Sequence, residues 1–214
     1  MSKRLLSLAL VISILLSLAA AVNACNPSKY KKDNGRKKVV MVIAESNFED
    51  VEFYKPKEIL ENHGVKVTVA STTTKAATGT NGGTYKPDIL IQDVRVHKYD
   101  AVIVIGGTGI MNEWDNLELR SLIINADKQK KIVAAICAAP PILARAGILK
   151  GKDATCFPWS GIYDELTNNG ANYVDSETVR SGNIITGRNP DASEAFGIKL
   201  CEALKVLGKP HTNQ

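Results

Sequence analysis

Three short apolar runs constrain this chain most: Val39 to Ala44, Ala101 to Ile105 and Lys131 to Ile136. They are rich in β-branched residues and hydrophobic at consecutive positions rather than alternate ones, as strands buried on both faces must be. Between them run segments with helical periodicity. Asp50 to Asn62 reads as a helix with Val51, Tyr54, Ile59 and Leu60 facing inward, stopped by Gly64 and carrying a candidate kink at Pro56. Val65 to Ala70 reads as a strand, Thr78 to Tyr85 as a Gly/Thr-rich turn region, and Ile89 to Ile91 as a short strand. Helices are expected at Leu117 to Lys128, Ala138 to Ala146 closed by Gly147, Tyr163 to Asn168, and Ala192 to Leu207, with a strand pair within Val179 to Thr186. Strands alternating with helices predict an α/β fold with a mostly parallel sheet covered on both faces. Ligands of such sheets bind beyond the carboxyl ends of the strands.

Cys137 stands at one of those ends, between a buried strand and a helix. Ala135, Ala138 and Ala139 leave room for a tight turn, which is the backbone logic of a nucleophile elbow with cysteine in place of serine. The helix N-terminus beside the sulfur favours thiolate. A buried core cysteine is the plainer reading of an apolar-flanked thiol, and the junction tips the balance to a functional one. Gly106-Gly107-Thr108-Gly109 follows another strand, and a glycine turn there can aim backbone N–H groups at an oxyanion. Glu49, Asp50 and Glu52 lie after the first strand. Charge complementarity at a helix start accounts for an acidic cluster of this kind. Glu52, between Val51 and Phe53, is distinct: a carboxyl in apolar surroundings holds its proton and can pass it to a neighbouring thiolate.

The chain has three histidines. His97 precedes the Ala101–Ile105 strand, His63 closes the first helix and His211 lies in the tail, so none is placed to pair with Cys137. Of the other cysteines, Cys201 reads as core, and Cys156 as the end of a short strand with a disulfide or resolving role open to it. No metal or cofactor signature is present.

The first residues read differently. Met1-Ser2-Lys3-Arg4, the apolar run Leu5 to Ala21 and the small residues of Val22-Asn23-Ala24 have the form of a cleaved secretory signal, residues 1–24, with a membrane anchor as the alternative. Cys25 then resembles a lipoprotein acceptor cysteine, so a protein tethered to a membrane through Cys25 and a free periplasmic or secreted one both stay open. Losing Lys3 and Arg4 takes the net charge from +5 to +3. The basic excess sits in Lys29 to Lys38, a solvated linker (residues 25–37 being the segment before the fold). One aromatic and one arginine there, Tyr30 and Arg36, argue against a nucleic-acid partner. The folded domain is expected over 38–208, with a tail at 209–214.

Ala134 to Pro140, Tyr99 to Gly107 and Phe48 to Glu52 together resemble the PfpI family, in the superfamily of the parkinsonism-associated protein deglycase. Thr155 to Pro158, Asn168 to Ala171 and Thr186 to Pro190 continue the similarity, which covers about Lys38 to Leu207. The resemblance implies a flavodoxin-like three-layer sandwich. It also implies an easily oxidised elbow cysteine, Cys137, with a protonated Glu52 hydrogen-bonded to it. Gly106, Gly107 and Ala138 would be backbone donors, with Glu49, Arg188, Cys156 and Phe157 as site support, Arg188 matching a family arginine. The peptidase-like branch has histidine where Ala138 stands, and the parkinsonism-associated branch has histidine where Phe157 stands. Proteolysis is therefore the weaker expectation. The stronger is cofactor-independent glyoxalase- or deglycase-type chemistry on a small α-oxoaldehyde or an early glycation adduct. A redox-sensing chaperone, a cysteine peptidase or amidase, and an envelope binding module are the alternatives. Family members often form dimers or larger rings, which makes a homo-oligomer the expected assembly.

Overall fold

The computed structural model describes residues 35–207. The expected signal segment, Cys25, most of the basic linker and the tail lie outside the described residues. The elements follow in chain order: β1 (Lys38–Val42), β2 (Ser46–Phe48), α1 (Asp50–Asn62), β3 (Lys66–Ser71), β4 (Ala77–Gly79), β5 (Thr84–Tyr85), β6 (Ile89–Leu90), β7 (Ala101–Val104) and α2 (Leu117–Lys128). Then come β8 (Ile132–Ile136), α3 (Pro140–Arg145), β9 (Asp153–Ala154), α4 (Ser160–Asn168), β10 (Asn172–Tyr173), β11 (Thr178–Ser181), β12 (Ile184–Gly187) and α5 (Ser193–Leu204).

Seven strands form one sheet in the order β11-β12-β8-β7-β1-β3-β6. Every pairing is parallel except the β11–β12 hairpin at one edge. The continuous apolar runs are its centre: Val39 to Val42, Ala101 to Ile105 and Val133 to Ile136 have no exposed surface. That burial requires cover on both faces. α1 packs against α5 on one face, while α2, α3 and α4 form the other layer. Gly197 in α5 permits the close approach of the first pair, since a Cβ there would meet Ile59 at 2.8 Å and Pro56 Cα at 3.2 Å. This is the expected three-layer α/β sandwich.

Several details differ from the sequence reading. In α1, Val51 and Tyr54 are exposed, at 46% and 39%, and the buried face is Asp50, Glu52, Phe53, Pro56 and Leu60. Leu60 and Ile59 pack inward as expected, whereas Val51 and Tyr54 do not, because two carboxyls of this helix point inward to bind backbone amides. Pro56, the candidate kink, lies inside a helix that runs without a break from Asp50 to Asn62. The Gly/Thr-rich segment is not simply a turn: β4 and β5 join β2 in a second, three-stranded sheet. Asp50 holds its tip, accepting the amides of Asn81 and Gly83, each at 2.7 Å. The closing helix stops at Leu204 because Lys205 takes a left-handed conformation, with φ 60°.

Candidate active site

The carboxyl ends of β1, β7, β8 and β12 meet around Cys137. Its register follows from β8: Gly187 pairs with Ile136, and the Cys137 N–H donates to the Gly187 carbonyl at 2.9 Å. The chain then turns sharply. Cys137 has φ 63°, a left-handed conformation that a non-glycine residue adopts only when its surroundings enforce it. Its carbonyl accepts the Phe157 N–H at 2.9 Å, and the Ala139 N–H closes the turn on Ile136 O at 3.0 Å. Helix α3 begins only at Pro140, two residues later than the sequence suggests, since Ala138 and Ala139 form the turn itself.

The sulfur is nearly buried, with Cys137 8% exposed. The backbone N–H groups of Gly107 and Ala138 hydrogen-bond to it, and the Glu52 carboxyl lies against it. Gly106 has a different task. Its N–H donates to Glu52 Oε2 at 3.1 Å, so it positions the acid rather than facing an oxyanion. Glu52 Oε1 is buried without a hydrogen-bond partner. Neither glycine of the turn can be replaced in this arrangement. A Cβ on Gly106 would collide with Glu52 Oε2 and lie 2.8 Å from Cys137 Cβ; one on Gly107, whose φ is 99°, would collide with the Asn47 carbonyl.

Glu52 has no exposed surface, and burial pushes its pKa from 4.5 up to about 8. The hydrogen bond to the Cys137 thiol works in the opposite sense, the nearby Glu49 charge adds to the rise, and the Gly106 amide lowers it. Burial also raises the Cys137 thiol strongly, followed by the charge of Glu52 and its hydrogen bond, against the pull of the Gly107 and Ala138 amides. The helix end therefore does not by itself make a thiolate here. Two acids this close titrate as a pair. When Glu52 keeps its proton the repulsion disappears, and two amides with a carboxylic acid surround the sulfur.

The remaining candidates surround this pair without joining it. Glu49 caps α1, accepting the Glu52 N–H at 2.8 Å and the Asn81 side-chain amide at 3.3 Å. Arg188 follows Gly187, and its guanidinium is paired with Asp175 at 2.8 Å. Phe157 is 38% exposed and contributes its backbone amide to the elbow. Cys156 is fully buried and unpaired, its thiol raised to about 12 by burial, which suits a core residue rather than a resolving one. Cys201 is likewise buried and free. His97 sits in the turn before β7, at the opposite end of that strand from Gly106. His63 lies at the C-terminal end of α1, the end away from Glu52, with Nδ1 2.9 Å from Ile59 O. Among the described residues no histidine reaches Cys137, and no cluster of three or more His, Cys, Asp or Glu could hold a metal ion.

One site contact has no sequence signature. The Trp114 indole N–H donates to the Ala138 carbonyl at 2.9 Å, bridging the glycine-turn segment to the elbow. Nothing in local pattern pairs residues that far apart.

The DJ-1/PfpI family model matches residues 37–203. An uncharacterized protein of Methanocaldococcus jannaschii is 37% identical over 91% of this chain and 96% of its own. A protein named a deglycase from Pyrococcus horikoshii is 34% identical over 78% of this chain and 99% of its own. Among solved structures, a ThiJ/PfpI domain protein from Brachyspira murdochii superposes with a TM-score of 0.77 at 32% identity, over 81% of this chain and 99% of that one. Drosophila melanogaster DJ-1beta gives a TM-score of 0.72 at 32% identity, over 81% and 92%. The elbow cysteine, the buried glutamate and the parallel sheet that joins them thus come with the extent of match that defines membership: the chain belongs to the DJ-1/PfpI family.

Proposed function

We propose that this protein is a cofactor-independent enzyme that uses Cys137 and Glu52 on α-oxoaldehydes or early glycation adducts. The observation that carries the reading is the buried Glu52 carboxyl, raised to about 8, lying against a thiol that also faces two backbone N–H groups. With one proton shared by the Cys137–Glu52 pair and held on Glu52, the Cys137 thiolate bonds to the aldehyde carbon and the carbonyl oxygen takes that proton, giving a hemithioacetal and leaving Glu52 a carboxylate. The C–H proton of that carbon then passes through the carboxylate to the adjacent carbon by way of an enediol. The aldehyde carbon is oxidised and the ketone carbon reduced within one molecule, leaving a thioester of a 2-hydroxy acid. Water cleaves its C–S bond and restores the thiol. Gly107 and Ala138 N–H groups hold negative charge during addition, and Glu52 moves the proton. The relatives named deglycases support the same class of chemistry. A peptidase reading lacks its general base, since no described histidine approaches the sulfur.

The same donors favour a second reading, oxidation sensing, because two amides and an acid also suit an anionic sulfur oxide formed by peroxide. We further propose export, from the basic, apolar and small-residue order of the first 24 residues. A homo-oligomer is proposed from the exposed Val51, Tyr54, Phe157 and Trp159 on segments that carry the site.

The test is D-lactate formation from methylglyoxal by the reduced protein beside Cys137→Ala. Turnover that disappears in the variant supports the thiol enzyme. No turnover by the unmodified protein rejects that chemistry for this substrate and turns attention to peroxide oxidation of Cys137.

A further inference from the structure

The elbow contains three peptide units, and their polar groups can be counted in full. Cys137 N–H is held by Gly187 O at 2.9 Å, Cys137 C=O by Phe157 N–H at 2.9 Å, and Ile136 C=O by Ala139 N–H at 3.0 Å. Ala138 C=O is held by the Trp114 indole at 2.9 Å. The group left is the Ala138 N–H, and it points at the sulfur. Of these anchors, Trp114 alone is a side chain.

Trp114 reaches the elbow from the glycine-turn segment. It ends the short 3-10 helix Gly109–Glu113, two residues beyond Gly107, whose amide is the other donor to the sulfur. One segment therefore supplies a donor directly at its start and fixes the second donor at its end. The indole is itself held. Arg145 lies 5.6 Å from the ring centroid, and its guanidinium is fixed by Glu165 at 2.6 Å and Asp115 at 2.5 Å. The strained φ of Cys137 gives the turn a reason to relax whenever an anchor is lost.

We propose that Trp114 is a positioning residue for the nucleophile: its indole N–H keeps Ala138 oriented so that the Ala138 amide stabilises negative charge on Cys137. The proposal rests on Cys137 being the reacting group and not on which carbonyl compound it takes. Its readout is alkylation of Cys137 by iodoacetamide, which needs no aldehyde turnover, so the two readings fail separately.

The experiment replaces Trp114 with 3-benzothienylalanine, which keeps the ring shape and exchanges N–H for sulfur, and uses Trp114→Phe as the second variant. Alkylation of Cys137 is followed by mass spectrometry across pH, with the melting temperature measured beside it. Loss of one hydrogen bond predicts a rate roughly three- to tenfold lower at neutral pH, with the pH midpoint shifted upward in both variants. A purely structural role would lower the melting temperature and leave the pH profile where it was. Superimposable pH profiles, or a slower rate with an unmoved midpoint, overturn the proposal.

Discussion

Glu52 shows how one residue can be legible in sequence while its partners are not. Its place between Val51 and Phe53 signals a carboxyl in apolar company, and in the fold it has no exposed surface. What the sequence does not convey is the division of labour beside it. Gly106 serves the acid and Gly107 serves the sulfur, a distinction set by how the turn after β7 meets α1. Burial of this group also fixes a pH dependence. A carboxyl whose pKa rises from 4.5 to about 8 on folding binds more protons folded than unfolded across that interval. Its contribution is therefore favourable in acid and lost as pH rises through that window, the reverse of a salt-bridged carboxylate. Glu52→Gln, which cannot ionise, is expected to flatten this part of the stability curve and to gain on the unmodified protein above pH 8. Thermal unfolding from pH 5 to pH 9 checks this; parallel curves for the two proteins would contradict it. The same variant is expected to lose most aldehyde turnover.

The central strands were readable because burial on both faces leaves an uninterrupted apolar run, and β1, β7 and β8 fall within a residue or two of their expected bounds. Helix α2 is found at Leu117–Lys128 as its period predicts, with Asn116 capping it through Leu119 N–H at 3.0 Å. The elements that escaped are those too short for any period. β2, β4 and β5 are two or three residues each, and their pairing is decided by contact with the N-terminal end of α1. Asp50 makes that contact by accepting two amides of the hairpin tip. Asp50→Ala should leave those amides unpaired and cost on the order of 2 kcal/mol locally. Hydrogen exchange at Asn81 and Gly83 is expected to accelerate while β7 and β8 stay protected. Unchanged exchange at the tip would mean that the hairpin holds itself.

Across the whole molecule, the parallel sheet determines what can meet. Cys137, Gly106 and Gly187 end neighbouring strands, and α1 begins where β1 ends, so an acid, a sulfur and a set of amides converge although Glu52 and Cys137 are far apart in the chain. This convergence was foreseeable because sites of parallel sheets lie beyond the carboxyl ends of the strands. The Trp114 bridge was not, because it depends on how a 3-10 turn settles over the elbow. The central claim is that the folded sheet keeps an acid protonated beside its nucleophile. The direct measurement is a pH titration of the Glu52 carboxyl carbon by NMR, in protein labelled at glutamate and assigned with Glu52→Gln, folded and then unfolded in urea. The account predicts a midpoint near 8 in the folded protein, returning to about 4.5 on unfolding. A folded-state midpoint near 4.5 would leave an ionised carboxylate against the sulfur and contradict the proton-transfer role.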